Sequence, residues 1–116
     1  MLSLPSAVRI YLCVEPTDMR RGFDTLAETV RQGIGQDPLS GHLFLFRSRR
    51  GDRLKVLYWD RDGYALWYKR LERGTFALPS PQADGRVDSR DLAMMLEGLE
   101  PAGLRRRPRF ALPAGT

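Results

Sequence analysis

The chain has 116 residues, of which 42% are hydrophobic and 28% are charged, and its formal net charge is +5. This length fits one domain with a core of its own, and the composition is typical of a folded protein rather than a disordered one. The absence of a run of about 18 apolar residues excludes a membrane-spanning helix, and a signal peptide is not expected. Cys13 is the single cysteine, so these features together predict a cytoplasmic protein.

The positive charge is concentrated in two zones. Residues 47–73 carry nine basic and four acidic side chains, and residues 105–116 carry four arginines and no acid. We predict one α+β domain over residues 1–104, followed by a flexible arginine-rich tail over residues 105–116. A polyanionic partner would explain the two zones, and surface solubility would explain them equally well.

A strand and then a helix are predicted at the start of the chain. The run VRIYLCV (residues 8–14) is β-branched and aromatic and lies between prolines, which is typical of a strand. Apolar residues then recur with the spacing of one helix face: Phe23, Leu26, Ala27, Val30 and Ile34. We expect Thr17 or Asp18 to cap this helix, and Gly33 and Gly35 to end it.

Three more strands and a second helix are predicted further along. HLFLFR (42–47) is apolar on both faces and indicates a central strand. RLKVLYWD (53–60) and YALWYKRL (64–71) flank a turn sequence and predict a hairpin, and DSRDLAMMLEGL (88–99) predicts a helix. The predicted fold is α+β, with an antiparallel sheet of about four strands, a meander around this hairpin, and two helices packed on one face.

The register of the hairpin decides where its two tryptophans lie. We favour a three-residue loop with Asp60 opposite Tyr64, because it separates an apolar face from a mixed one. The mixed face would hold Lys55, Leu57, Trp59, Ala65, Trp67 and Lys69. The alternative is a two-residue turn at Asp62 and Gly63, which would place Trp67 beside Tyr58.

The basic hairpin is the main candidate for a binding site. Its arginines are suited to phosphates and its tryptophans to stacking on bases. The predicted nucleic-acid-binding residues are Arg47, Arg49, Arg50, Arg53, Lys55, Trp59, Trp67, Lys69, Arg70 and Arg73. Arg20 and Arg21 oppose the helix dipole at the predicted helix start, which indicates pairing with nearby carboxylates or contact with a partner. The opposing hypothesis is that both tryptophans pack under a helix and the arginines are solvated.

The sequence gives little support to catalysis. Neither Lys55 nor Lys69 has an acidic residue two positions before it, as a common nuclease pattern requires. His42 is the single histidine, and no cysteine or serine stands at a useful spacing from it. No glycine-rich phosphate loop leads into a helix. We therefore expect a protein that is not an enzyme and that holds no metal or cofactor.

Three long segments carry a family resemblance: residues 17–27 (TDMRRGFDTLA), 41–76 (GHLFLFRSRRGDRLKVLYWDRDGYALWYKRLERGTF) and 92–99 (LAMMLEGL). In order and spacing they resemble the TnpB, or Orf2, accessory proteins of bacterial insertion sequences of the sixty-six type. The resemblance implies an accessory role in DNA transposition and recombination, beside a separate and larger transposase. It brings no catalytic residues, and it does not extend to the arginine-rich tail.

The resemblance and the basic hairpin together predict a non-catalytic accessory protein of transposition. It would bind DNA at the element ends, the transposase or other element-encoded proteins, or both. The alternative is a pure adaptor between proteins, in which Trp59 and Trp67 anchor the interface and no DNA is touched. No membrane contact is expected, and an exposed sheet edge would favour a homodimer.

Overall fold

A computed structural model of the chain describes residues 7–96. Its elements, in chain order, are β1 (Ile10–Leu12), α1 (Phe23–Thr29), a π-helical segment (Val30–Ile34), β2 (Leu43–Arg47), β3 (Arg53–Asp60), β4 (Gly63–Arg70), β5 (Arg86–Val87) and α2 (Ser89–Leu96). The predicted tail at 105–116 and the last residues of the predicted second helix lie outside this part of the chain. No helix within it is long and apolar enough to cross a membrane.

The five strands form one mixed sheet in the order β4-β3-β2-β1-β5. β1 and β2 are parallel, and every other neighbouring pair is antiparallel. A parallel pair needs a long crossover, and α1 with the π-helical segment supplies it. The α+β class is therefore confirmed, with β5 added to the predicted strands and one parallel pairing inside the sheet.

The first helix has the predicted apolar face but a different start. Leu26, Ala27 and Val30 are buried, as the spacing predicted, but Phe23, the first residue of that predicted face, is 48% exposed because it stands at the helix start. The helix begins at Phe23 behind Gly22, and no side chain caps it, so the expected cap at Thr17 or Asp18 is wrong. The end is as predicted, because Gly35 takes the left-handed conformation, with φ 75°, that terminates helices.

The sheet is buried on both faces. We call the side under the first helix the α1 face; its buried cluster is Tyr11, Leu26, Ala27, Val30, Phe44, Phe46 and Leu57. We call the other side the α2 face; its buried cluster is Ile10, Leu12, Leu43, Leu45, Leu54, Val56, Phe76, Val87 and Leu92. The prediction that both helices pack on one face is wrong, because two-sided apolar strands such as β2 need cover on both faces.

The hairpin register differs from both predicted registers. Asp60 pairs with Gly63, which leaves a two-residue loop, and Trp67 lies opposite Val56. Arg61 begins this loop with φ 56°, a conformation that favours glycine. The sequence therefore predicted that Gly63, and not Arg61, takes a turn position. Since side chains alternate along a strand, the one-residue shift moves Trp67 to the α2 face and leaves Trp59 on the α1 face.

Candidate nucleic-acid interface

Residues 17–22, between β1 and α1, are fastened to the sheet by hydrogen bonds. The Thr17 N–H donates to the Arg47 carbonyl over 2.9 Å. The Lys55 Nζ donates to the carbonyls of Met19 at 2.7 Å and Arg21 at 2.8 Å. Lys55 is only 6% exposed, and its ammonium lies 4.8 Å from the centre of the Tyr68 ring, a favourable cation–π distance. Lys55 therefore holds this segment over the α1 face.

The turn between β2 and β3 stands beside that segment and has its own internal bonds. The Ser48 N–H donates to the Arg53 carbonyl at 3.0 Å, and the Gly51 N–H donates to the Ser48 carbonyl at 3.0 Å. The Ser48 hydroxyl donates to Asp52 at 3.2 Å and accepts from the Arg53 N–H at 3.1 Å. Gly51 has φ 80°, and a Cβ there would lie 3.4 Å from Thr75. The left-handed conformation favours glycine at this point of the turn, whereas the contact with Thr75 is an ordinary one.

The two segments enclose a shallow cleft of about 460 Å³, which we call the arginine cleft. Its lining residues are Thr17, Asp18, Met19, Arg20, Ser48, Arg49, Arg50, Asp52 and Arg53. A hollow of about 270 Å³ adjoins it beside Pro16 and shares Arg20 and Arg49 with it. The lining has four arginines and two aspartates, so the cleft is positively charged overall.

The two aspartates of the cleft are already engaged. Asp18 receives a two-pronged bond from Arg20, with Nη2 at 2.7 Å and Nε at 3.0 Å, and the Arg20 guanidinium holds the pKa of Asp18 well below its usual range. Asp52 accepts from Ser48. By contrast, Arg49, Arg50 and Arg53 have no side-chain hydrogen bond or carboxylate within 4 Å across residues 7–96. These three guanidinium groups are available to an anion.

The structure does not bring all the predicted site residues together. Arg49, Arg50 and Arg53 meet in the cleft, together with Arg20, which the sequence assigned to a partner. Arg70 lies opposite Arg53 on the neighbouring strand and is paired with Glu72 at 3.0 Å. Lys69 and Arg73 are exposed, and Lys69 points to the α2 face because it lies opposite Leu54.

The remaining predicted basic residues serve the fold in this structure. Lys55 is buried under residues 17–22. Arg47 is half-buried on the α2 face, and its Nη1 donates to the Phe76 carbonyl at 3.1 Å. Arg21 donates to the Thr29 hydroxyl at 3.3 Å and is not part of the cleft lining.

The predicted placement of both tryptophans on one mixed face is wrong. Trp67 packs against the apolar cluster of the α2 face. Trp59 lies on the opposite face and makes an edge-to-face contact with Tyr64, with ring centres 5.2 Å apart. Trp59 also follows Arg53 by six positions on one strand, which places it about 20 Å from the cleft end of the hairpin.

His42 and Cys13 have structural surroundings. The His42 Nδ1 accepts from the Arg9 N–H at 3.0 Å, and partial burial, with the charge of Arg9, lowers the pKa of His42. Burial likewise raises the pKa of the Cys13 thiol, which favours its unreactive protonated form. Within the described residues, no three His, Cys, Asp or Glu side chains come close enough together to hold a metal ion.

The sequence missed the part of the cleft that residues 17–22 contribute. Asp18, Ser48 and Asp52 belong to the site through their bonds to its arginines and its turn. None of them was predicted as a site residue, although pairing of Arg20 with a nearby carboxylate was. One usable signal was present: TDMRRG and SRRGD are both arginine-rich, glycine-containing motifs outside the apolar runs. Their contact depends on the parallel pairing of β1 with β2, which no local pattern reveals.

Fold and site together define a small α+β domain with an arginine-lined cleft of net positive charge. The chain belongs to the family described as IS66 Orf2-like protein, whose model matches residues 8–106. It is 40% identical over 100 residues to the uncharacterized protein y4hO of Sinorhizobium fredii, covering 84% of this chain and 87% of that protein. It is 34% identical over 110 residues to the uncharacterized protein y4jC of the same organism, covering 93% of each. No solved structure matches the chain significantly.

Family membership supports an accessory protein of an insertion sequence, with a part in transposition. It matches the family that the sequence motifs resembled. The two relatives are described as uncharacterized, so a biochemical task has to be inferred from the cleft and its charges.

Proposed function

We propose that the protein is a non-catalytic accessory factor of insertion-sequence transposition that binds DNA phosphates in the arginine cleft. The observation that carries the proposal is the set of three arginines, Arg49, Arg50 and Arg53, that line one cleft at the turn before β3 and have no carboxylate partner in the described part of the chain. Arginines that are not paired within a protein are suited to paired hydrogen bonds with phosphate oxygens.

The shape of the cleft favours a backbone rather than a small enclosed ligand. The cleft is shallow, its floor includes the buried hydroxyl residues Thr17 and Ser48, and its arginines stand at the rim, where Arg49 and Arg50 are exposed. Contacts of this kind position a protein on DNA without reading the sequence. In this proposal the separate transposase recognises the element ends and performs the chemistry, and this protein adds phosphate contacts to the complex.

Salt-dependent binding tests the proposal. Fluorescence anisotropy with a labelled element-end duplex, at salt concentrations between about 50 and 200 mM, should show an affinity that falls steeply with salt. Arg49→Ala/Arg50→Ala should reduce the slope of log affinity against log salt by about 2, close to one unit for each lost phosphate contact. A scrambled duplex should behave like the element end.

The matched control removes two exposed arginines outside the cleft, Arg31 in the π-helical segment and Arg61 in the hairpin loop. Arg31→Ala/Arg61→Ala has the same net charge as the cleft variant, so its slope should stay near that of the unmodified protein. Equal losses in the two double variants would mean that net charge, and not the cleft, attracts DNA.

The alternative function, an adaptor without DNA contact, makes a different set of predictions. Its proposed anchors, Trp59 and Trp67, lie on opposite faces of the sheet, so they do not form one interface patch. A pull-down with the element's transposase, with and without DNA, separates the two functions. Capture that needs no DNA and survives Arg49→Ala/Arg50→Ala, combined with no anisotropy change at low salt, would favour the adaptor.

A further inference from the structure

The outer edge of β4 is open along its whole length in the part of the chain that the structure describes. β4 spans eight residues, Gly63–Arg70, and stands at the end of the sheet order with β3 as its one neighbour. It contains no proline and pairs with β3 residue for residue, without a bulge. Short length, prolines, bulges and charged side chains are the usual devices that protect an edge strand from pairing. β4 has none of the first three, and its charged residues, Lys69 and Arg70, stand at one end only.

The hairpin loop fixes which residues present their backbone at this edge. Asp60 and Gly63 close a two-residue loop, so Gly63 and every second residue after it bond to β3. The alternating set directs its N–H and C=O groups outwards: Tyr64, Leu66, Tyr68 and Arg70. The side chains of this set all lie on the α1 face, where Tyr68 is 49% exposed.

Charge is distributed unevenly along the edge. The loop that precedes β4 carries Arg61 and Asp62, and the strand ends with Lys69 and Arg70, of which Arg70 is also paired with Glu72 of its own chain. Two such edges laid antiparallel bring Asp62 of each to Arg70 of the other, whereas a parallel arrangement would place Asp62 beside Asp62 and Arg70 beside Arg70. Cross-strand pairs of opposite charge stabilise a sheet and pairs of like charge weaken it.

We propose that β4 pairs antiparallel with β4 of a second copy of this chain, which joins the two five-stranded sheets into one. A two-fold axis perpendicular to the sheet requires one residue to face its own copy, and we place Leu66 there. Tyr64 then faces Tyr68 of the second copy, which covers the exposed tyrosine, and Asp62 lies beside Arg70 of the second copy. About six backbone hydrogen bonds join the strands.

The next symmetric register is less favourable. With Trp67 facing its own copy, Arg70 would lie opposite Tyr64, and Arg61 would come beside Arg73. That register separates the two tyrosines and brings like charges together. The charge and aromatic patterns of β4 therefore favour the register centred on Leu66.

The proposed dimer does not depend on DNA binding. One consequence of the dimer, however, rests on the proposed function. The axis keeps both α1 faces on the same side, so both arginine clefts open on one side of the joined sheet. From strand spacing and residue rise, the two Arg53 residues come about 30 Å apart. This separation is close to one turn of the DNA double helix, about 34 Å, so one duplex would reach both clefts.

A charge exchange tests the dimer and its register. Sedimentation velocity of the full chain, without DNA, should show a monomer–dimer equilibrium between about 10 and 200 μM. Asp62→Arg and Arg70→Asp should each raise the dimer dissociation constant by roughly tenfold, because each places like charges at both symmetric contacts. The double variant Asp62→Arg/Arg70→Asp should restore the dimer. Asp24→Arg, an exposed site on α1, is the control and should leave it unchanged.

A protein that stays monomeric over this range overturns the proposal. A dimer that none of the exchanges weakens overturns it equally, because another surface would then hold the copies together. Tyr68→Pro removes one outward N–H at an exposed position and should also weaken the dimer; circular dichroism checks that the variant is folded.

The DNA consequence has a separate measurement. Asp62→Arg adds positive charge far from the cleft, so simple attraction predicts tighter binding to DNA. If the dimer places two clefts on one duplex, this variant should instead bind several-fold more weakly, since it loses the second contact. Tighter binding by a variant that no longer dimerises would overturn the two-cleft geometry while leaving single-cleft DNA binding intact.

Discussion

The two faces of the sheet differ in what they bury. The α2 face is covered by hydrocarbon and aromatic side chains, including Leu54, Val56 and Phe76. The α1 face has a similar apolar cluster, but beside it lie the buried ammonium of Lys55 and the half-buried ring of His42. The arginine cleft opens beside this second face. The α2 face has a half-buried cation too, Arg47, but the one lysine that is almost fully buried in the described residues, Lys55, lies on the side that positions the site.

The buried Lys55 ammonium is tolerated because its surroundings replace water. An isolated buried charge is very costly, but two backbone carbonyls accept from this one and the Tyr68 ring lies beside it. Burial still lowers the pKa of Lys55, and Asp18 acts in the opposite direction. The residue thus contributes to the site indirectly, by fixing residues 17–22 with Arg20 among them.

The largest expected effect compares the two tryptophans, one on each face. Trp67→Ala should reduce the free energy of unfolding by about 3 kcal/mol, because it removes a large side chain packed against the α2-face cluster. Trp59→Ala should cost about 1 kcal/mol, since Trp59 chiefly contacts Tyr64 at the far end of the hairpin. Urea denaturation measures both. Equal losses would contradict the assignment of the two tryptophans to different faces.

Neither tryptophan variant should change the salt slope of DNA binding by a full unit, because the cleft contains neither side chain. A large loss of DNA affinity in a folded Trp59→Ala would restore the stacking role that the sequence predicted.

Much of this fold follows from local patterns. The periodicity of Leu26, Ala27 and Val30 predicts the first helix, and the two-sided apolar run from Leu43 predicts a central strand, which β2 is. The hairpin itself is also predicted. Its register is not, because Arg61 adopts a left-handed conformation that the sequence would assign to glycine. A shift of one residue was enough to exchange the faces of every residue in β4.

The second prediction tests the polar burial of the α1 face. Lys55→Met keeps the length of the side chain but removes the donor to the Met19 and Arg21 carbonyls. We expect a loss of about 2 kcal/mol in the free energy of unfolding, and weaker DNA binding in a folded protein because Arg20 is no longer held in place. Urea denaturation and anisotropy measure the two effects.

The control for this variant is Lys69→Met on the next strand, where the side chain is exposed and faces the other side of the sheet. Its stability should change by less than about 0.5 kcal/mol. Similar losses in the two variants would show that the bonds of Lys55 to residues 17–22 add nothing to stability.

The cleft itself could not be predicted from the sequence, because it depends on contacts between residues that are far apart in the chain. Lys55 reaches carbonyls that precede it by 34 and 36 positions, and such a bond is set by tertiary packing rather than by residue type. The basic turn at residues 48–53 was predicted to bind, yet Lys55, four positions after Gly51 on the same segment, proved internal. Charge composition located the region of the site, and burial decided which of its cations remain accessible.

The smallest expected effect concerns His42, the other polar group of the α1 face. Its Nδ1 accepts from the Arg9 N–H, which requires that nitrogen to be unprotonated, and burial lowers its pKa below the ordinary 6.5. The unfolded chain therefore takes up a proton at a higher pH than the folded one, so the stability that neutral His42 supports is complete above about pH 6.5 and declines as the pH falls towards its folded pKa.

The variant His42→Gln keeps an acceptor for Arg9 but cannot titrate. Between pH 7.5 and 5.5 the unmodified protein should lose stability relative to this variant by less than about 1 kcal/mol, measured by urea denaturation at each pH. Parallel stability curves for the two proteins would show that His42 titrates alike in the folded and unfolded chains. The polar character of the α1 face would then rest on Lys55 and residues 17–22 alone, which would tie it more closely to the arginine cleft.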